Sequence, residues 1–257
     1  MMLELQKEWR FGLRTARFLI LATGFLFFAM LTPVMMKLVL PGVIKSQMPG
    51  ITPEMMDQMF MMTQLSSIQS YMGDMFEIGS VMVAFTLCGL MAQEIRENTL
   101  VLPLCSGTRF VHIIAAKMLV FGATLVIVPT AALTVNYLYS GLLFSFEAGL
   151  LPILRGGLLQ GVYMVFLLSC LVWWGALFKK PMAAGFMALL TVYASGLLGS
   201  LLHISTYLPS GLLDEAMLLT VSTSPTLLRT LFMTLLIILV LLTATLLRLG
   251  RMEWNER

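Results

Sequence analysis

The chain has 257 residues, of which 59% are hydrophobic and only 11% charged, with a formal net charge of +3. A soluble domain averages about 45–50% apolar and about 25% charged residues, so the composition excludes a disordered chain, a nucleic-acid-binding arm and an ordinary water-soluble enzyme. Mean hydropathy is +0.92 and apolar runs of membrane-spanning length recur, the pattern of an all-α polytopic membrane protein with membrane lipid as its first partner.

Residues 1–17 are amphipathic. Leu5, Trp9, Leu13 and Ala16 fall on one helical face, while Glu4, Lys7, Glu8, Arg10 and Arg14 crowd the rest. This pattern predicts an interfacial helix lying along the membrane surface. Six spans follow by length and flanking charge, over 18–40, 77–92, 118–139, 157–178, 182–204 and 230–247. The first is longer than a signal-peptide core and precedes no small-x-small cleavage site, so it is expected to stay in the protein.

The stretch 41–76 is predicted to be an outer loop that opens with Pro41, Gly42, Pro49, Gly50 and Pro53. Thr52 is placed to cap a helix starting at Pro53. Eight methionines lie here: Met48, Met55, Met56, Met59, Met61, Met62, Met72 and Met75. Thioethers suit Cu(I), but Met55, Met59 and Met62 form a helical stripe. That spacing favours packing, and no metal site is expected. Further along, Asn136, Tyr137, Gln160 and Tyr163 are the strongest polar groups within spans. They are candidates either for inter-helix hydrogen bonds or for the lining of a substrate path. The second outer loop, 205–229, contains Ser210 to Glu215 followed by an apolar tetrad. It is expected to hold a short extracytoplasmic or re-entrant helix before the last span.

Twelve of the sixteen Lys and Arg residues fall on one side if the N-terminus is cytoplasmic; Lys37, Lys45, Arg155 and Arg229 fall on the other. The preference of short basic loops for the inside then predicts both termini in the cytoplasm of a multi-pass plasma-membrane protein. Trp9, Trp173, Trp174 and Trp254 gather near the cytoplasmic ends, where an amphipathic ring suits the headgroup layer. No phosphate-binding G-x-x-x-x-G-K-[ST] loop occurs, and no carboxylate is expected at mid-depth in a span. Ser195 and His203 are separated by eight residues on one predicted helix. That is roughly 12 Å along the axis, beyond the reach of a catalytic pair, so no catalytic residue and no cofactor is expected. Cys88, Cys105 and Cys170 lack metal-binding spacing.

The inner loop 93–117 is the most informative segment. It reads Gln93-Glu94-Ile95-Arg96-Glu97-Asn98-Thr99-Leu100, then Val101-Leu102-Pro103-Leu104-Cys105-Ser106-Gly107-Thr108-Arg109, and closes near Lys117. This loop resembles that of the ABC-2 type permeases, membrane subunits of ATP-binding-cassette transporters. Their loop runs roughly E-x-x-x-G-T-L, then a Leu-rich turn, a Ser/Arg pair and a Lys opening the third span. The matching residues are Glu94, Thr99, Leu100, Leu104, Ser106, Arg109 and Lys117; Asn98 stands where glycine is usual, and Pro103 is a further departure.

The layout of interfacial helix, six spans and a short outer helix is similar over the whole chain. The resemblance implies a permease subunit, most often an exporter, paired with a second permease chain as a homodimer or heterodimer. It implies cytoplasmic ABC ATPase subunits that bind ATP and Mg, and no nucleic acid. Glu94, Arg96, Glu97, Thr99, Leu100, Leu104, Ser106 and Arg109 would form the ATPase-coupling loop, with Leu100 and Leu104 as apolar anchors. The alternative from composition alone is a self-sufficient secondary carrier or channel.

Overall fold

The computed structural model describes residues 2–47, 63–220 and 224–251. It is helical throughout, with no strand among the described residues. Helix α1 covers Met2–Arg14. Six helices long and apolar enough to cross a membrane follow: α2 (Arg17–Val43), α3 (Gln64–Arg96), α5 (Phe110–Phe144), α6 (Leu150–Phe178), α7 (Pro181–Leu201) and α9 (Pro225–Gly250). Between them lie two short helices, α4 (Val101–Cys105) and α8 (Gly211–Met217). The expected helix at Pro53 and six of the eight clustered methionines lie outside the described residues. The other two, Met72 and Met75, are buried in the core.

Several helices outrun their expected bounds. Helix α3 has 33 residues, about 50 Å at 1.5 Å per residue, against a hydrocarbon core of about 30 Å. It starts at Gln64 and not Glu77 because Thr63 and Ser66 form a reciprocal capping box. The extension is then buried through Ile68, Tyr71 and Met72. Counted outward from Arg96, Glu77 lies about 28 Å along the helix and Asp74 about 33 Å. Both carboxylates therefore lie inside the long apolar helix, Glu77 within three residues of its midpoint and not at its end as expected. Thr32 donates to Asp74 at 3.0 Å. Arg155, expected in an outer loop, lies inside α6 and donates to the Thr220 carbonyl.

Within the bundle, breaks in the backbone ladder are repaired by side chains from neighbouring helices. Pro33 interrupts α2 and cannot donate to the Ala29 carbonyl four residues earlier; the Asn136 amide donates to it instead, at 2.8 Å. A single π turn over Met75–Gly79 interrupts α3. Around it Gln160 donates to the Met72 carbonyl at 3.0 Å and Tyr193 to the Glu77 carbonyl at 2.8 Å. Such repairs are what allow irregular helix within an apolar medium. At the end of the bundle away from Arg96, buried Gln64 donates to the Tyr137 carbonyl and accepts from the N–H groups of Glu147 and Ala148, tying the α5–α6 turn to α3.

Helix α6 is the central post, in contact with α5, α7, α9, α3 and α8. Its approach to α5 depends on Gly157 and Gly161. A Cβ at these positions would stand 2.9 Å from Thr130 Cα and 2.8 Å from Val126 Cα, so the small-x-x-x-small spacing sets the separation. Large apolar side chains that face away from the bundle, such as Phe27, Phe186, Phe232 and Leu239, are exposed, as expected of a surface whose solvent is lipid.

The orientation predicted from charge is directly testable. In a Cys105→Ser background, a cysteine at exposed Glu147 should react with an impermeant thiol reagent on intact cells. A cysteine at exposed Glu97 should react only after permeabilisation. The reverse pattern would invert the topology.

Candidate functional site

The inner loop is a folded platform. Helix α3 ends in a Schellman motif in which the Asn98 N–H reaches the Ile95 carbonyl at 3.3 Å and the Thr99 N–H the Glu94 carbonyl at 3.1 Å. Asn98 takes φ = +55°. Asparagine is the commonest substitute for glycine in that left-handed position, which explains the departure from the family pattern. Helix α4 closes the same way: the Gly107 N–H reaches Leu104 and the Thr108 N–H reaches Pro103, each at 3.0 Å, with Gly107 at φ = +87°. Pro103 sits in the first turn of α4, where its missing N–H costs nothing. Its carbonyl also accepts from the Ser106 hydroxyl at 2.7 Å.

The two expected apolar anchors divide. Leu100 is fully buried in a small inner core with Met91, Ile95, Ile113, Ile114, Val172, Ala176 and Leu249, so it holds the loop down and offers nothing to a partner. Leu104 is half-buried against the same core. The exposed apolar side chain is Leu102, at 79%. Arg96 and Glu97 are exposed and pair at 3.6 Å, and Arg109 is exposed before α5. Thr99 donates back to the Glu94 carbonyl at 3.4 Å. Leu102 carries no distinguishing sequence signal, because its neighbours in the loop are equally apolar.

Glu94 turns inward. Lys117, expected at the water boundary, is 0% exposed, and its ammonium lies 2.8 Å from Glu8 and 2.9 Å from Glu94. Lys7 borders the cluster, 3.8 Å from Glu4 and 3.9 Å from Glu94. Arg17, its guanidinium 4.6 Å over the Phe11 ring, is within electrostatic reach of Glu8 and Glu94. One lysine thus bonds α1, α3 and α5 together. The face of α1 turned to the bundle is Glu4, Glu8 and Gly12, while Trp9 and Leu13 remain exposed. The two acids of α1, Glu4 and Glu8, are thus inside, while its basic residues Lys7, Arg10 and Arg14 and part of its apolar row are outside. Sequence reasoning placed Glu8 among solvated charges because nothing local marks its partner 109 residues away.

Burial pushes the Glu8 carboxyl above the usual glutamate range, and neighbouring Glu94 adds to this, against the pull of Lys117.

The four candidate path residues lie apart from this platform. Asn136 and Gln160 are buried and engaged as described, and Tyr137 donates to the Ala148 carbonyl at 3.1 Å. Tyr163 is fully buried, with its hydroxyl unpartnered among the described residues. Ser195 donates to the Val192 carbonyl of its own helix at 2.7 Å, and His203 lies beyond the end of α7. Among the described residues no cluster of His, Cys, Asp and Glu could hold a metal ion. Comparison with protein-family models, with curated proteins and with solved structures gives no match.

Lys117→Met should destabilise the protein by about 3–5 kcal/mol, the cost of stranding buried partners of an ion pair. Adding Glu8→Gln and Glu94→Gln should recover most of that loss in thermal unfolding of the purified protein. Failure of the triple variant to recover would show that stranding the two carboxylates is not what destabilises Lys117→Met. The raised Glu8 carboxyl contributes stability fully below a glutamate's ordinary value of about 4.3. That contribution is lost as pH rises through its raised value, because the folded state holds the proton longer. Glu8→Gln should remove this slope from a plot of unfolding temperature against pH.

Proposed function

We propose that this chain is the membrane subunit of an ATP-driven transporter of the ABC-2 type, an exporter in the plasma membrane with both termini cytoplasmic. It would work as a pair with a second permease chain and with cytoplasmic ATPases that bind ATP and Mg. The observation that carries the reading is the platform at 93–117. Its two Schellman closures and buried Leu100 make it stiff, while Leu102 stands out between Arg96, Glu97 and Arg109. An apolar centre with a charged rim is the usual anatomy of a protein contact.

The cluster at Lys117 supports a mechanical role. A push on the platform is delivered to α3 through Glu94, to α5 through Lys117 and to α1 through Glu8, because a buried pair cannot be stretched cheaply. Movement of α3 and α5 against α6 would then open the path to alternate sides or laterally between paired permeases. With Trp9 and Leu13 turned outward, α1 would lie in the interface and follow the same movement. The short helix α8, fixed to α6 by Leu212 and Ala216, would form part of the extracytoplasmic cap.

Leu102→Asp and Glu97→Lys should each weaken ATPase co-purification by about tenfold or more, the loss of roughly 1.4 kcal/mol. Glu147→Lys at the opposite end should leave it unchanged. Leu100→Asp should instead lower the unfolding temperature of the permease alone. Unchanged docking and unchanged substrate-stimulated hydrolysis in Leu102→Asp and Glu97→Lys would refute the assignment of the platform.

A further inference from the structure

The opposite end of the molecule carries a cavity of about 550 Å³ between α3, α7 and α8, a size typical of small-molecule sites. One wall is apolar, made by Phe76, Tyr193 and Met217; the other is polar, with His203, Ser205, Ser210 and Asp214, and no ion pair joins His203 to Asp214. Phe76 lies about 30 Å along α3 from Arg96. The Tyr193 hydroxyl is committed to the Glu77 carbonyl, and its ring meets Phe76 edge to face at 5.6 Å.

The two acids of α8 are used differently. Glu215 accepts from Ser224 at 3.3 Å and from Thr226 at 2.6 Å, tying α8 to the start of α9. Asp214 lines the cavity, accepts from Ser205, and has no cationic partner among the described residues. Arg229, the cation of this segment, is turned onto the Tyr207 ring at 4.4 Å. Burial pushes the Asp214 carboxyl above its usual range, and like-charged Glu215 adds to this. Asp214 is an exposed residue whose carboxylate borders the cavity without a countercharge, beside the aromatic wall.

We infer that this cavity binds an amphiphilic ammonium compound, with its alkyl or aryl tail on Phe76, Tyr193 and Met217 and its protonated amine on Asp214. An anion would meet the Asp214 carboxylate. A neutral apolar guest would strip water from Asp214 and leave it unpaired. A primary ammonium supplies the missing charge and three donors, enough for Asp214 and the serine oxygens, and its charge suits the aromatic faces. The head could belong to a soluble amphiphile or to a lipid such as phosphatidylethanolamine. As a cargo site the cavity rests on the transport reading above; as a binding site it does not.

The test uses the full chain in phosphatidylcholine nanodiscs, without ATPase or nucleotide, so its failure leaves the docking experiment untouched. A dodecylammonium probe with a photoreactive diazirine on its chain is crosslinked, and adducts are mapped by peptide mass spectrometry. Adducts should concentrate on the peptides holding Phe76, Tyr193 and Met217. Unlabelled dodecylammonium should compete and dodecanol of the same chain length should not. Asp214→Asn, which keeps the shape, should reduce labelling roughly tenfold. Gly196→Phe should do the same by filling the cavity, since a Cβ at Gly196 meets nothing nearer than Phe76 Cζ at 4.0 Å. Repeating the labelling in nanodiscs containing phosphatidylethanolamine separates the sources: suppression assigns the site to the lipid head, and persistence to a soluble amphiphile. Labelling spread evenly over the lipid-facing helices, equal competition by dodecanol, or labelling unchanged in both variants would overturn the inference.

Discussion

In a bundle set in hydrocarbon, every backbone N–H and C=O must find a partner within the protein, and the polar residues of this chain are placed largely by that demand. Pro33 leaves the Ala29 carbonyl open and Asn136 closes it. The π turn in α3 is closed by Gln160 from α6 and Tyr193 from α7. Each repair comes from a different helix, so the irregular points of α2 and α3 are also where the bundle is bonded together. Polar side chains that could have lined a path are largely occupied in holding the walls.

Charge is used in the same economical way at the inner end. Lys117 is the junction of three helices, and its two carboxylate partners come from segments distant in sequence. The consequence for α1 is that its two acids, Glu4 and Glu8, face protein, and Trp9 and Leu13 face outward. Carboxylates can face inward only where a countercharge waits for them. A helix held this way is joined electrostatically to the loop beside it, and the loop is in turn stiffened by two left-handed turns.

The two ends of the molecule are therefore built for different tasks. The inner end is closed and rigid, with Leu100 beneath and Leu102 above. The outer end is braced by Gln64 and Glu215 yet keeps a cavity with an uncompensated carboxylate.

The six long apolar helices, their order and the short helix before the last of them were legible in the sequence because long apolar runs and capping residues are local signals. The fold of the loop at 93–117 rests on local signals too, its left-handed Asn98 and Gly107 lying close together in the chain. Helix ends were misjudged where capping and burial outweigh hydropathy, as at Thr63 and Gln64, where the extension of α3 is buried by contacts with α5. Whether Leu100 or Leu102 faces out depended on how α4 folds back onto Ile113, Ile114 and Val172. The pairing of Lys117 with Glu8, and the isolation of Asp214 from Arg229, are long-range facts. A charge carries no mark of its partner in one dimension, because Coulomb attraction acts on distance in space, and only the packing of the helices set those distances.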